Sequence, residues 1–187
     1  PNRGAPQQAA FEQLTDWSKH SVEGIKYFSG TATYIKEVEV PADFFSGSER
    51  KIVLDLGKVK EIAEVKLNDM NLGILWKPPY SVDVTEKLKP GKNKLEVQVT
   101  NLWVNRLIGD EQYPDDSQWV HDRELVCWPE WLVKGQPRPE QRRITFSNIK
   151  GYKKDSPLLE SGLLGPVELK LLAKKEINCK CIRCRQY

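Results

Sequence analysis

Apolar and polar residues alternate along much of this chain with a period of two, which is the pattern of a half-buried β-strand. The clearest case is the run KLEVQVT at 94–100, where three apolar residues face one side and the polar residues face the other. The same pattern predicts further strands at 31–40, 51–56, 62–68, 72–76, 81–84, 143–149 and 167–171.

Short polar turns separate these predicted strands. The run NDMN at 68–71 is typical of a hairpin, because Asn and Asp tolerate positive φ, and KPGKN at 89–93 is a strong turn. Such short connections favour antiparallel pairing, since a parallel crossover needs a dozen residues or more. We therefore predict an all-β fold, an antiparallel jelly-roll sandwich with long loops.

The ends of the chain differ from this central body. Residues 1–23 are predicted to be an arm or linker, in which 10–21 forms either a short helix or an irregular docking segment. Residues 24–173 are assigned to the sandwich. Residues 174–187 are expected to be a disordered tail. Its C-x-C-x-x-C pattern lacks the fourth ligand of a tetrahedral metal site.

One long segment, 108–139, has no strand periodicity but holds four of the Pro and three of the six Trp. Loops of this length are usually functional or dock a partner. The segment also contains four candidate acids, which are either solvated loop residues, a calcium site or glycosidase carboxylates: Asp110, Glu111, Asp115 and Asp116. Calcium is disfavoured by the absence of the spacing found in dedicated calcium loops.

Composition narrows the classes of function. The 29 basic and 26 acidic residues are interspersed and leave a net charge of only +3, which argues against nucleic acid as a partner.

The sequence has no apolar run of about 18 residues, so we predict no membrane span. It starts without Met and without a signal peptide, and we expect it to be a processed or cloned fragment. Motifs for nucleotide binding and serine catalysis are absent, and Cys127 has no evident catalytic partner.

Aromatic residues are the better candidates for recognition, since sugars stack their C–H faces on such rings. Two aromatics, Trp76 and Tyr80, flank a stiff Pro-Pro bend, and a third, Trp103, follows the clearest strand. The alternative is that these rings fill the core or join the domain to a neighbour. The candidates for carbohydrate binding or domain contact are Trp76, Lys77, Tyr80, Trp103, Asn105 and Arg106. For Arg106 we favour a structural fork to a carboxylate such as Asp110.

Three motifs together resemble a known family. GIKYFSGTATY at 24–34, VKLNDMNLG at 65–73 and the segment 75–112 are similar to the carboxy-terminal sandwich of bacterial α-L-rhamnosidase-type glycoside hydrolases (family 106-like). They resemble more loosely the sugar-binding sandwich of β-galactosidase-like enzymes. The resemblance implies a galactose-binding-like jelly roll whose catalytic partner is a separate (β/α)₈ barrel of about 250 residues. No catalytic residue is therefore assigned to this chain.

The function expected from this resemblance is that of a non-catalytic accessory or carbohydrate-binding sandwich in a larger, secreted or periplasmic, polysaccharide-degrading enzyme. The alternatives are an independent carbohydrate-binding module and a self-sufficient glycosidase. The expected partners are carbohydrate and the catalytic barrel. No cofactor is expected apart from the calcium considered above.

Overall fold

The computed structural model describes residues 4–46, 50–115, 117–121, 123–139 and 142–173. It confirms the all-β prediction, with antiparallel strands and few, short helices. The strands are β1 Thr31–Val40, β2 Arg50–Asp55, β3 Lys58–Lys60, β4 Ile62–Leu67, β5 Met70–Leu75, β6 Ser81–Asp83, β7 Gly91–Thr100, β8 Trp119–Val120, β9 Glu124–Leu125, β10 Gly162–Gly165 and β11 Glu168–Ala173. The α-helices are α1 Glu23–Lys26, α2 Val104–Asp110 and α3 Glu130–Val133, and 3-10 turns lie at Trp17–Lys19 and Ala42–Phe45.

The strands form two facing layers. One is a four-stranded antiparallel sheet in the order β1-β7-β4-β5. The other contains the three-stranded sheet β11-β2-β6, and β10 pairs with β3 beside it. The pair β8-β9 lies in the long loop. Inward side chains of both layers, such as Leu54 of β2 and Val97 of β7, share one buried core.

Alternation explains why these segments became strands. On β7 the apolar residues Leu95, Val97 and Val99 are buried, while the intervening polar residues face outward. Burial of a Val or Leu side chain stabilises the fold by about 1.5–3 kcal/mol, so one face of each strand is held firmly against the opposite layer.

Several sequence predictions differ from the structure. The strand predicted at 143–149 is wrong, because the backbone N–H groups of Ile144 and Thr145 donate to the carboxylate of Asp110 instead of to a neighbouring strand. Two short strands, β3 and β10, were not predicted. Strand β7 also begins at Gly91, inside the predicted turn.

The segment before the first strand packs on the sandwich. Trp17 is 2% exposed, and its indole Nε1–H donates to the Tyr34 hydroxyl at 2.6 Å. Its backbone N–H donates to the carbonyl of Ser161 at 3.0 Å. The predicted arm therefore contributes a core residue, and its described part forms the 3-10 turn Trp17–Lys19 before α1 begins at Glu23. The predicted tail, 174–187, lies outside the described residues.

None of the helices formed by the described residues is long and apolar enough to cross a membrane.

Candidate functional site

The two aromatics that flank the Pro-Pro bend have different environments. Trp76 is 66% exposed, and the Lys77 ammonium lies 5.1 Å from its ring centroid. Tyr80 is buried in the core, and its hydroxyl donates to the carbonyl of Glu61 at 2.8 Å. Burial raises the pKa of the Tyr80 hydroxyl. The Tyr80 ring therefore lies in the core, which is the alternative given above for these aromatics, and not on the surface with Trp76.

The segment that follows β7 also contains both exposed and buried candidate residues. Trp103 is exposed, whereas Asn105 and Arg106 are buried. The Asn105 amide donates to the carbonyl of Leu159 at 2.7 Å and accepts from the N–H of Leu159 at 2.8 Å. Asn105 thereby holds the loop that leads to β10. Asn105 and Arg106 thus lie inside the fold and not on its surface, since the polar atoms of Asn105 bind the 159–161 segment and Arg106 is enclosed.

Arg106 has the structural role that we favoured from the sequence. Its Nη2 lies 3.0 Å from Oδ1 of Asp110, one helical turn later on α2. The Asp110 carboxylate also accepts from the N–H groups of Ile144 and Thr145 and from the Thr145 hydroxyl. One buried ion pair therefore fixes the position of a segment more than 30 residues further along the chain.

The next two acids belong to an ion-pair cluster. Arg143 donates to Glu111 at 2.9 Å and to Asp115 at 2.8 Å, and Lys150 lies 2.6 Å from Asp115. The carboxylates are thus matched by cations. Within the described ranges, no three His, Cys, Asp or Glu side chains are grouped as metal ligands. The fourth calcium candidate, Asp116, lies outside those ranges.

A cleft of about 140 Å³ lies between α2 and the long loop. Its lining includes Leu107, Trp119, Phe146 and the paired cations Arg143 and Lys150. The Lys150 ammonium lies 5.2 Å from the centroid of the Trp119 ring. The cleft is smaller than the roughly 300 Å³ of pockets that enclose drug-sized ligands. Its lining brings α2 and the long loop together with the segment 143–152.

The Trp residues have no single role. Trp17 is in the core. Two Trp of the long loop, Trp128 and Trp131, contact the Phe146 ring with centroids 6.0 and 5.6 Å away. Trp76 and Trp103 are among the exposed large side chains outside that loop. These two remain the candidates for contact with carbohydrate or with a neighbouring domain.

Trp76 belongs to a larger exposed surface that the sequence analysis missed. Strand β5 is an edge strand, and its residue Ile74 is 61% exposed and pairs with Glu64. Ile62 at the start of β4 is 41% exposed. Ala63 pairs with Leu75 in an antiparallel register. One residue further along each strand, this register places Ile62 opposite Trp76. We call Ile62, Ile74 and Trp76 the outer apolar patch. The sequence signal that could have revealed this patch is the presence of apolar residues at strand positions whose side chains face outward.

The fold is that of a galactose-binding-like sandwich of the glycoside hydrolases. Residues 17–136, more than half of the chain, match the model of the glycosyl hydrolase 2 galactose-binding domain-like family. The chain therefore belongs to that family. The match does not single out the family 106-like rhamnosidases to which the motifs were compared above.

Two relatives are much longer than this chain. It is 48% identical over 167 residues to a Formosa agariphila protein named "Putative beta-glucuronidase", covering 89% of this chain and 14% of that protein. It is also similar to the solved rhamnosidase from Novosphingobium sp. PP1Y, with 34% identity and a TM-score of 0.70. That match covers 90% of this chain and 13% of the rhamnosidase. The chain thus corresponds to one domain of much larger glycoside hydrolases.

Proposed function

We propose that this chain is a non-catalytic accessory sandwich of a larger, α-L-rhamnosidase-like glycoside hydrolase that degrades polysaccharide. The observation that carries the proposal is the coverage. About nine-tenths of this chain aligns with about one-seventh of each relative. The catalytic carboxylates would lie on a separate barrel, as the family resemblance implies. A secreted or periplasmic location is part of the proposal, because polysaccharide is met outside the cytoplasm.

The three described acids of the long loop, Asp110, Glu111 and Asp115, support a non-catalytic role. Glycoside hydrolysis needs two carboxyl groups about 5–10 Å apart on either side of the scissile bond. Here Asp110 is enclosed with Arg106. Glu111 and Asp115 both bind Arg143, so they converge on one cation and do not face each other across an open crevice.

Deletion of this domain from the longer enzyme tests the proposal. The aryl-rhamnosidase or aryl-glucuronidase active site should persist without residues 17–173. The thermal stability of the enzyme should fall, because an apolar contact surface would be exposed. An enzyme whose kcat falls to background while its remaining domains stay folded would contradict an accessory role.

An independent carbohydrate-binding module is the second candidate, and the exposure of Trp76 and Trp103 favours it. Titration of the 187-residue chain with rhamnosides and rhamnose-containing polysaccharides distinguishes the two. Saturable binding that is lost in Trp76→Ala would identify a module. An accessory domain without its own sugar site should show no saturable binding.

A further inference from the structure

The outward side chains of the four-stranded sheet are sorted along the strands. At one end they are charged. Glu37 of β1 pairs in register with Lys94, and Glu39 pairs with Lys92. The ammonium of Lys92 lies 2.8 Å from Glu37. Charges arranged in this way keep their hydration and mark a solvent-facing surface.

The other end of the same face carries fewer charges: Glu64 lies opposite Ile74, and the exposed residues near it, Ile62, Ile74 and Trp76, are apolar. Ile62 pairs with Thr100, which pairs with Thr31, and the two threonine hydroxyls are 2.8 Å apart. The outer apolar patch adjoins this row. Beyond Thr100 the chain continues into Leu102 and Trp103, which are 49% and 53% exposed. An apolar surface beside a charged one on a single sheet is typical of a protein contact.

We propose that the outer apolar patch is the surface on which another domain of the parent glycoside hydrolase packs. This inference rests on the proposed function, since the partner is part of the same enzyme. The relatives supply the reason for that partner, because most of each relative's length lies outside the match.

The chemistry of the patch favours protein over carbohydrate. Ile62 and Ile74 are branched aliphatic side chains, which pack against apolar side chains but present no flat ring to a sugar. The Trp76 ring already has the Lys77 ammonium 5.1 Å from its centroid. Exposed Trp surrounded by aliphatic residues is a common composition for the centre of a protein interface.

The test compares Ile74→Lys with Ile35→Lys in the 187-residue chain and in the full-length parent enzyme. Ile35 is a matched control, because it is 64% exposed on the same sheet but lies on the opposite edge strand, β1. In the 187-residue chain, both substitutions should leave the Tm within about 2 °C of the original. In the full-length enzyme, Ile74→Lys should lower the Tm of this domain by about 4 °C or more. Ile35→Lys should not lower it.

Equal effects of the two substitutions in the full-length enzyme would overturn the inference and leave the proposed function standing. Two other results would also overturn it. One is a stable dimer of the 187-residue chain that Ile74→Lys dissociates. The other is an unchanged Tm together with loss of polysaccharide binding in Trp76→Ala. A parent polypeptide without glycosidase activity would overturn the proposed function and this inference together.

Discussion

Arg106 and Asp110 form an ion pair at 3.0 Å with side chains that are only 4% and 3% exposed. Both lie on α2, and Asp110 also accepts hydrogen bonds from Ile144 and Thr145. The position of Ile144 and Thr145, in the segment after the long loop, therefore depends on one buried carboxylate. Removal of one member of such a pair leaves an uncompensated charge in the interior.

Asp110→Ala should lower the free energy of unfolding by about 3–5 kcal/mol, because the guanidinium of Arg106 would stay buried without its partner. Urea unfolding measures the loss. Backbone amides at 144 and 145 should also exchange hydrogen faster. Asp115→Ala is the control, since Asp115 is 39% exposed and its ion pairs contribute less. Equal losses in the two variants would contradict the structural role of Asp110.

Tyr34→Phe should destabilise the chain by about 1–3 kcal/mol. The Tyr34 hydroxyl accepts from Trp17 Nε1 at 2.6 Å and from the N–H of Leu163 at 3.2 Å, so the change leaves two donors without an acceptor. Differential scanning calorimetry measures the effect. Thr31→Val removes a hydroxyl from the exposed Thr31–Thr100 contact and should cost much less, because water replaces it. A Tyr34→Phe protein as stable as the original would show that Trp17 is not anchored in this way.

Asp55 should contribute to the loss of folding stability at acid pH. Its hydrogen bond with Lys170, followed by the one from the N–H of Gly57, lowers the pKa of this carboxyl. The unfolded chain therefore binds the proton more tightly. The stabilisation is complete above the ordinary carboxyl pKa of about 3.9 and is lost as pH falls through the lower folded pKa.

The measurement for Asp55 is the urea midpoint as a function of pH for the original chain and for Asp55→Asn. The difference between them should be constant from neutral pH to about pH 5 and should shrink below about pH 4. A difference that grows as the solution becomes more acidic would have the wrong sign for a lowered pKa.

The two aromatics of the Pro-Pro bend should respond differently to truncation. Tyr80→Ala removes a core ring and should cost about 3–5 kcal/mol. Trp76→Ala removes a ring that is 66% exposed and should change stability by no more than about 0.5 kcal/mol. Thermal unfolding of both variants tests the contrast. A large loss in Trp76→Ala alone would reverse the assignment of core and surface.

The sandwich could be predicted because alternation is a local property. In strand β7 every second residue is apolar, which indicates the buried face, and that face must pack on another layer. Helix α2 could not be predicted, because its seven residues make only about two turns, too few for a repeating apolar face to be recognised. Its contacts are with residues distant in sequence, such as Ile144 and Thr145. The burial of Tyr80 was equally hidden, since it depends on the carbonyl of Glu61 across the fold. The outer apolar patch could not be predicted either, because the register of β4 and β5 is needed to show that Ile62 and Ile74 lie on the same side of the sheet.

Turnover of aryl α-L-rhamnoside and aryl β-D-glucuronide by the purified 187-residue chain tests the central claim most directly. The proposed parent enzyme serves as the positive control under the same conditions. We predict no hydrolysis above the buffer rate by the chain alone, because the loop acids Asp110, Glu111 and Asp115 are enclosed or paired with cations. Saturable hydrolysis that a single carboxylate substitution abolishes without unfolding the chain would contradict the account.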